Sequence, residues 1–234
     1  MNLIINSSNS FEIVDGLIKS NKNFDVEKKE DNLIISSGNN ISIDGNKINI
    51  QSTSSIKIIN LIGEPSAGKS TIAAELFAKM KKAGYNVELV TEYAKDMVWE
   101  NRNEMFSHQD YIFAKQNRRL ARLNGKVDYV ITDAPLILSL YYLDKSNTPL
   151  SFAPFIKDVV SQYDNDYFFI KRTHKYESIG RYQTEEEAKI ISKDLLNLLI
   201  ENNVDFTILH SDEEVAEQIL KKIENQGFNH EFNH

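Results

Sequence analysis

The run Gly63-Glu64-Pro65-Ser66-Ala67-Gly68-Lys69-Ser70-Thr71 constrains what this chain can fold into more than any other stretch. It fits G-x-x-x-x-G-K-[ST], a phosphate-binding loop that joins a strand to a helix. Both flanks agree with that setting. Ile56-Lys57-Ile58-Ile59-Asn60-Leu61-Ile62 reads as a buried strand. Ile72, Leu76, Phe77 and Met80 then recur at helical spacing.

The residue types of the loop suit a nucleotide triphosphate. Gly63 and Gly68 let the backbone turn tightly and approach phosphates with no Cβ in the way. The amides of Ser66, Ala67, Gly68, Lys69 and Ser70 can then point inward as an anion nest, reinforced by the helix N-terminus. Lys69 is placed to reach the β- and γ-phosphates, and the Ser70 hydroxyl to ligate Mg²⁺. Thr71 falls near the α-phosphate. The bland alternative is an ordinary glycine turn before a helix.

Composition sets the outer limits. A chain of 234 residues with 41% hydrophobic residues can bury a core and reads as one α/β domain with a small appendage. It has no cysteine, which excludes disulfides and thiolate metal sites. The N-terminus lacks a basic n-region, and no apolar run approaches the length of a membrane span. The expectation is a soluble cytoplasmic protein with no membrane partner. The net charge of −7 opposes general nucleic-acid binding, although a local basic groove can coexist with it.

Residues 1–55 differ from the rest, being rich in Asn, Ser and Ile. Ile41-Ser42-Ile43 and Lys47-Ile48-Asn49-Ile50 alternate around Asp44-Gly45-Asn46, a hairpin signal. Leu33-Ile34-Ile35 reads as a further strand, and Phe11 to Ser20 as one short helix. This segment is a β-rich appendage, a structural cap or the contact of a homodimer. From residue 56 strands alternate with helices. Strands are expected at 56–62, 86–91, 128–132, 167–170 and 205–209. Helices are expected at 69–82, 93–101, 108–124, 135–143, 151–162, 184–202 and 212–225. Thr184-Glu185-Glu186-Glu187 fits a capping box. The alternation implies a mostly parallel sheet with helices on both faces and ligands at the C-terminal strand ends.

Those strand ends carry polar residues. Glu92, after the second strand, can accept the proton of an attacking hydroxyl; otherwise it is a helix N-terminal carboxylate favoured by the dipole. Asp133, after the apolar Tyr129-Val130-Ile131-Thr132, suits Mg²⁺ coordination or simple turn formation. Arg172 and Arg181 follow the fourth strand and suit stabilisation of a transferring phosphoryl group from a closing lid; otherwise they belong to a solvated basic loop. Gln116 interrupts the apolar stripe Ile112, Leu120 and Leu123. It reads either as an amide for a base edge, with Tyr93 shaping the same pocket, or as a buried glutamine satisfied by backbone. Lys115, Arg119, Arg122 and Lys126 form a basic stripe, either solvated or suited to phosphate contact.

Gly63–Thr71, Glu92-Tyr93-Ala94-Lys95, Asp133-Ala134-Pro135 and the basic lid together resemble the P-loop kinase and ATPase group that contains the NadR-type nicotinamide riboside kinase domain, in a bacteriophage-type form. Glu92-Tyr93-Ala94-Lys95 is similar to that family's Glu-Tyr-Ala-Arg. The resemblance covers residues 56–225. It implies a three-layer, five-stranded parallel core in the order 2-3-1-4-5 and ATP·Mg²⁺ as phosphoryl donor; the loop and strand-end residues supply Lys69, Glu92, Asp133, Arg172 and Arg181 as the expected catalytic set. Phe113-Ala114-Lys115-Gln116 loosely resembles the helix by which deoxynucleoside kinases hold a base, although the arginine those enzymes carry after the third strand is absent. The expected function is a kinase acting on a small nucleoside- or nucleotide-like acceptor held by Glu92, Tyr93, Gln116 and Arg119. The alternatives are a kinase for a hydroxymethylated pyrimidine in DNA, and an ATPase switch with a protein partner.

Overall fold

A computed structural model of the protein describes residues 2–6, 11–14, 17–20, 25–29, 32–36, 40–44, 47–51, 56–144, 148–174, 176, 184–212 and 214–231, with side chains from 56 to 225. The chain divides into two compact units, Met1–Ser55 and Ile56–His234.

The first unit contains β1 (Asn2–Asn6), β2 (Phe11–Val14), β3 (Leu17–Ser20), β4 (Asp25–Lys29), β5 (Asn32–Ser36), β6 (Asn40–Asp44) and β7 (Lys47–Gln51). They form one sheet in the order β1-β5-β4 and another in the order β3-β2-β7-β6. The β6–β7 pairing closes with Asp44 opposite Lys47, the hairpin its alternation announced. The helix expected over Phe11–Ser20 is instead an antiparallel pair, with Val14 opposite Leu17. Asp15-Gly16 stands between those partners in the sequence, and an Asp-Gly pair between apolar runs favours a two-residue hairpin over a helix.

The second unit is built on one parallel sheet. Its strands are β8 (Lys57–Gly63), β9 (Val87–Val90), β10 (Tyr129–Thr132), β11 (Asp164–Lys171) and β12 (Thr207–His210). They lie in the order β12-β11-β8-β10-β9, which is the expected 2-3-1-4-5. The helices are α1 (Lys69–Lys82), α2 (Tyr93–Trp99), α3 (Gln109–Ala121), α4 (Phe152–Val160), α5 (Glu185–Glu201) and α6 (Val215–Glu231). Short 3₁₀ turns occupy Asn103–Ser107 and Leu136–Leu140. A longer helix was expected at the second of these. Leu136, Ile137 and Ser139 are all buried there, so the segment lacks the solvent-facing side of an ordinary surface helix.

Strand β8 is buried along almost its whole length, and its alternation feeds both faces of the sheet. Ile59 and Leu61 pack with Ile72, Leu76 and Met80 of α1 and with Ile219 and Ile223 of α6. On the opposite face, Ile58 packs with Phe113, Leu120, Ile156 and Val159, and Ile62 with Leu195 and Leu199. The capping box at α5 is present: Thr184 Oγ1 accepts from the Glu187 amide at 3.2 Å, and Glu187 Oε2 from the Thr184 amide at 2.7 Å.

Gly63 ends β8 opposite Ile170 of β11. A Cβ on Gly63 would collide with the carbonyl oxygen of Ile170, a backbone atom that cannot swing aside. Gly63→Ala is therefore expected to cost about 3 kcal/mol, the upper end of overpacking effects. Thermal unfolding should show a Tm lower by roughly 6–12 °C. An unchanged Tm would mean that β8 and β11 separate without penalty.

Candidate active site

Three adjacent strands, β9, β10 and β8, deliver their C-terminal ends to one edge of the sheet. The middle strand brings Asp133 between the loop that follows β8 and the Thr91-Glu92 segment that follows β9.

The loop after β8 ends in the N-terminus of α1. Gly68 occupies the N-cap position with φ 77, in the left-handed region open to glycine. No side chain caps this helix end. The first-turn amides thus lack an intrahelical partner, which is what makes such an end attract anions. Ser66 also adopts positive φ, 66°, which costs energy for a residue with a Cβ. Its carbonyl accepts a 3.0 Å hydrogen bond from His174 Nε2, and that contact helps hold the unusual turn. Lys69 Nζ donates to the carbonyls of Gly63 at 2.9 Å and Glu64 at 3.0 Å.

Asp133 follows β10 directly. Thr132 Oγ1 accepts from the Ala134 amide at 3.2 Å, turning the chain just past the strand. Asp133 Oδ2 accepts a hydrogen bond from Ser70 Oγ, so the two residues expected to share a metal ion already touch. The other oxygen, Oδ1, is buried with no hydrogen-bond partner. A hard carboxylate oxygen left over beside a hydroxyl fits the oxygen-only preference of Mg²⁺. Among the described residues, no three His, Asp or Glu side chains gather as a metal cluster. Two protein ligands, with phosphate oxygens and water completing the shell, is the usual mode for Mg²⁺ in phosphate sites.

Glu92 is the N-cap residue of α2, with φ −63 and ψ 123, and is exposed. Its carboxylate lies close enough to Tyr142 to act on that phenol. The Tyr142 pKa is pushed up to about 12, first by burial of its hydroxyl and second by Glu92. The residue as a whole remains half-exposed. Tyr93 donates to Tyr111 across 3.0 Å, and this bond is the main reason its own pKa rises to about 12. Accepting that bond holds the Tyr111 phenol below its ordinary value.

Two expected acceptor residues are occupied otherwise. Gln116 is buried; its Oε1 accepts from the Tyr93 amide at 2.8 Å, and its Nε2 donates to the Thr91 carbonyl at 3.4 Å. Backbone thus takes one donor and one acceptor of the glutamine amide, the arrangement of a buried glutamine satisfied by backbone in place of one reading a base edge. Arg119 donates to the Thr91 carbonyl at 3.1 Å, pairs with Asp96 and stacks 5.1 Å from the Tyr93 ring. It is drawn out of the basic stripe, because the Asp96 carboxylate on α2 and the Thr91 carbonyl just ahead of that helix are within reach.

Arg172 also differs from expectation. In place of a mobile lid residue, the structure shows a side chain only 7% exposed. Its Nε faces Glu64 Oε1 at 3.8 Å, its Nη2 reaches Glu185 at 3.3 Å, and its Nη1 donates to the His174 carbonyl at 2.9 Å. The hydrogen bond from Arg172, followed by the charge of Lys189, holds the Glu185 carboxyl below its usual range. Arg181 lies outside the described residues. Glu64, Asp96, His174 and Tyr142 drew no notice in the sequence. Glu64 stands at an open position of the loop motif, and its partner comes from a distant strand, so no local signal marks it.

The comparisons agree with this architecture. No curated protein sequence matches the chain significantly. Among solved structures, the NadR protein in complex with NR is similar, with a TM-score of 0.53 and 20% identity over 68% of this chain. This chain spans only 46% of that protein's own chain. The thymidylate kinase of Ehrlichia chaffeensis is similar with a TM-score of 0.51 and 14% identity, over 72% of this chain and 99% of that one. At these identities the likeness is one of fold. A family model described as an AAA domain matches residues 58–217, from the P-loop strand into α6. That span covers more than half of the chain and includes every strand of the parallel sheet, so the chain belongs to the AAA domain family.

Proposed function

We propose that this protein is an ATP-dependent phosphotransferase that moves the γ-phosphate to a hydroxyl of a nucleoside- or nucleotide-like acceptor. The observation that carries this reading is the strand order. It sets Asp133, hydrogen-bonded to Ser70 of the P-loop, between that loop and Glu92. The donor-phosphate residues and a carboxylate suited to general base work thus share one edge of one sheet.

The chain's own groups divide the work. The uncapped amides of α1 and the Lys69 ammonium hold the phosphates. Ser70 and Asp133 would hold Mg²⁺, which when bound neutralises charge on the β- and γ-oxygens. Glu92 takes the proton of the acceptor hydroxyl. The acceptor oxygen forms a bond to the γ-phosphorus as the bond from that phosphorus to the bridging oxygen breaks, and ADP leaves with the electron pair. Tyr142 lies near Glu92, and next to Glu92 in the chain Tyr93 packs edge-on against Tyr111 at 5.9 Å; such aromatic surfaces suit a planar base.

A panel of nucleosides and nucleoside monophosphates incubated with γ-labelled ATP tests the reading, and a labelled phosphate ester is the expected product. Glu92→Gln is expected to lower transfer about a hundredfold or more while leaving ATP affinity within about twofold. Transfer at the wild-type rate in that variant would remove Glu92 as the base. Hydrolysis that responds to a protein partner, with no labelled acceptor, would replace the kinase by an ATPase switch.

A further inference from the structure

The side chain of Gln116 bridges the two peptide groups on either side of Glu92. Its Nε2 donates to the Thr91 carbonyl, which belongs to the peptide before Glu92. Its Oε1 accepts from the Tyr93 amide, which belongs to the peptide after Glu92. Rotation about φ of Glu92 turns the first of these planes relative to Cα, and rotation about ψ turns the second. One planar amide gripping both therefore fixes both dihedrals together, at −63° and 123°. A residue between a strand and a helix would otherwise have the backbone freedom of a loop.

The grip rests on a rigid support. Gln116 is 6% exposed, and it lies on α3 beside Phe113 and Leu120, both deep in the core. Arg119, on the same helix, reinforces the contact. It donates to the same Thr91 carbonyl at 3.1 Å and to Thr91 Oγ1 at 3.4 Å. It also pairs with Asp96 on α2 and stacks on Tyr93. The Thr91 carbonyl thereby uses both lone pairs on α3 donors. The backbone of Glu92 is thus held from the core while its side chain stays at the surface edge of the sheet.

We infer that Gln116, supported by Arg119, is a positioning residue that aims the Glu92 carboxylate at the acceptor by locking the backbone on both sides of it. The inference rests on Glu92 acting in phosphoryl transfer. General base catalysis depends on hydrogen-bond reach to one proton, and a small misplacement of the base is costly.

The test separates the two ideas. Gln116→Met keeps the length and burial of the side chain but removes both hydrogen bonds. Gln116→Glu keeps the acceptor for the Tyr93 amide, leaving Arg119 to hold the Thr91 carbonyl. Hydrogen exchange at the Tyr93 amide reads the grip with no substrate present. It should quicken about tenfold or more in Gln116→Met, the equivalent of one lost hydrogen bond, and return close to wild type in Gln116→Glu. Phosphoryl transfer is then read from Mg·ATP turnover in the presence of the nucleoside panel, for Gln116→Met, Glu92→Gln and the double variant. A residue that acts through Glu92 costs about tenfold alone and almost nothing more once Glu92 is gone. Unchanged Tyr93 exchange in Gln116→Met, or costs that multiply in the double variant, would overturn the positioning role. Full turnover in Glu92→Gln would instead sink the reading of Glu92, and altered exchange in Gln116→Met would show that the grip exists without it.

Discussion

Lys69→Met is expected to reduce ATP-dependent transfer at least about a hundredfold, the scale for losing one preorganised charge that stabilises a transferring group. The ammonium of Lys69 is folded back against the carbonyls of Gly63 and Glu64, at 2.9 and 3.0 Å. It thus serves two ends at once. It braces the junction where β8 becomes the loop, and it keeps a positive charge at the strand end beside the first turn of α1. Methionine preserves the unbranched stem but supplies neither a donor nor a charge. Arginine does not restore the wild type, because two adjacent carbonyls suit a compact ammonium better than a planar fork. Affinity for a fluorescent ATP analogue should fall by about tenfold, the worth of one charge-assisted contact. Transfer should fall further, since in the proposed reaction the same cation holds the negative charge on the migrating group. Wild-type transfer by Lys69→Met would show that the loop does not face the donor phosphates.

Arg172→Met is expected to destabilise the P-loop unit by about 3 kcal/mol, the low end of what breaking a buried ion pair costs. Glu64, only 10% exposed in its side chain, sits within the loop motif and faces Arg172 across 3.8 Å. Removing the arginine leaves a carboxylate with little water around it within the loop. It also removes the stacking on Tyr176, 5.3 Å from the guanidinium, and the 2.9 Å bond to the His174 carbonyl. Glu185 adds little, because it is nearly half exposed and its pairing is screened by solvent. The double variant Glu64→Gln/Arg172→Met should recover part of the loss, since no uncompensated buried charge remains. Urea unfolding followed by fluorescence measures both. A loss below about 1 kcal/mol would place Arg172 with ordinary surface pairs.

Arg172 shows where local reading of a chain stops. Lys171-Arg172 at a strand end, with Lys175 and Arg181 beyond, has the composition of a basic loop that closes on phosphate. Nothing in that stretch reveals that a carboxylate from the end of β8 lies against it. The pairing exists because β11 and β8 are neighbours in the sheet, a fact of topology. Gln116 makes the same point more sharply. Its place within an apolar stripe announced burial, and burial of an amide demands partners. Which partners they are depends on how α3 lies against the β9–α2 junction, and they turned out to be the two peptide groups around Glu92. The base-reading alternative and the backbone-satisfied one were equally consistent with the residues until that packing was known.

The short helix expected at Phe11–Ser20 erred for a different reason. Apolar residues spaced over a ten-residue window support either period, and Asp15-Gly16 between them tips the balance to a hairpin. By contrast, the five core strands and their order emerged from strand–helix alternation and the resemblance that the loop carried.

The sequence by itself determined the P-loop of this protein and the sheet it belongs to. A loop motif is contiguous, and its chemistry resides in backbone conformation and three adjacent side chains, so Gly63 to Thr71 could be understood without neighbours. Asp133 and Glu92 were legible to the extent that polar residues at the ends of apolar strands face the ligand edge of a parallel sheet. Only the tertiary structure decided what those residues rest on: Asp133 against Ser70, Glu64 against Arg172, and Glu92 held through Gln116. The physical reason is that hydrogen bonds and ion pairs depend on distances of a few ångströms between atoms far apart in the chain. Periodicity and spacing report which face of an element is buried, and they are silent on what meets it there.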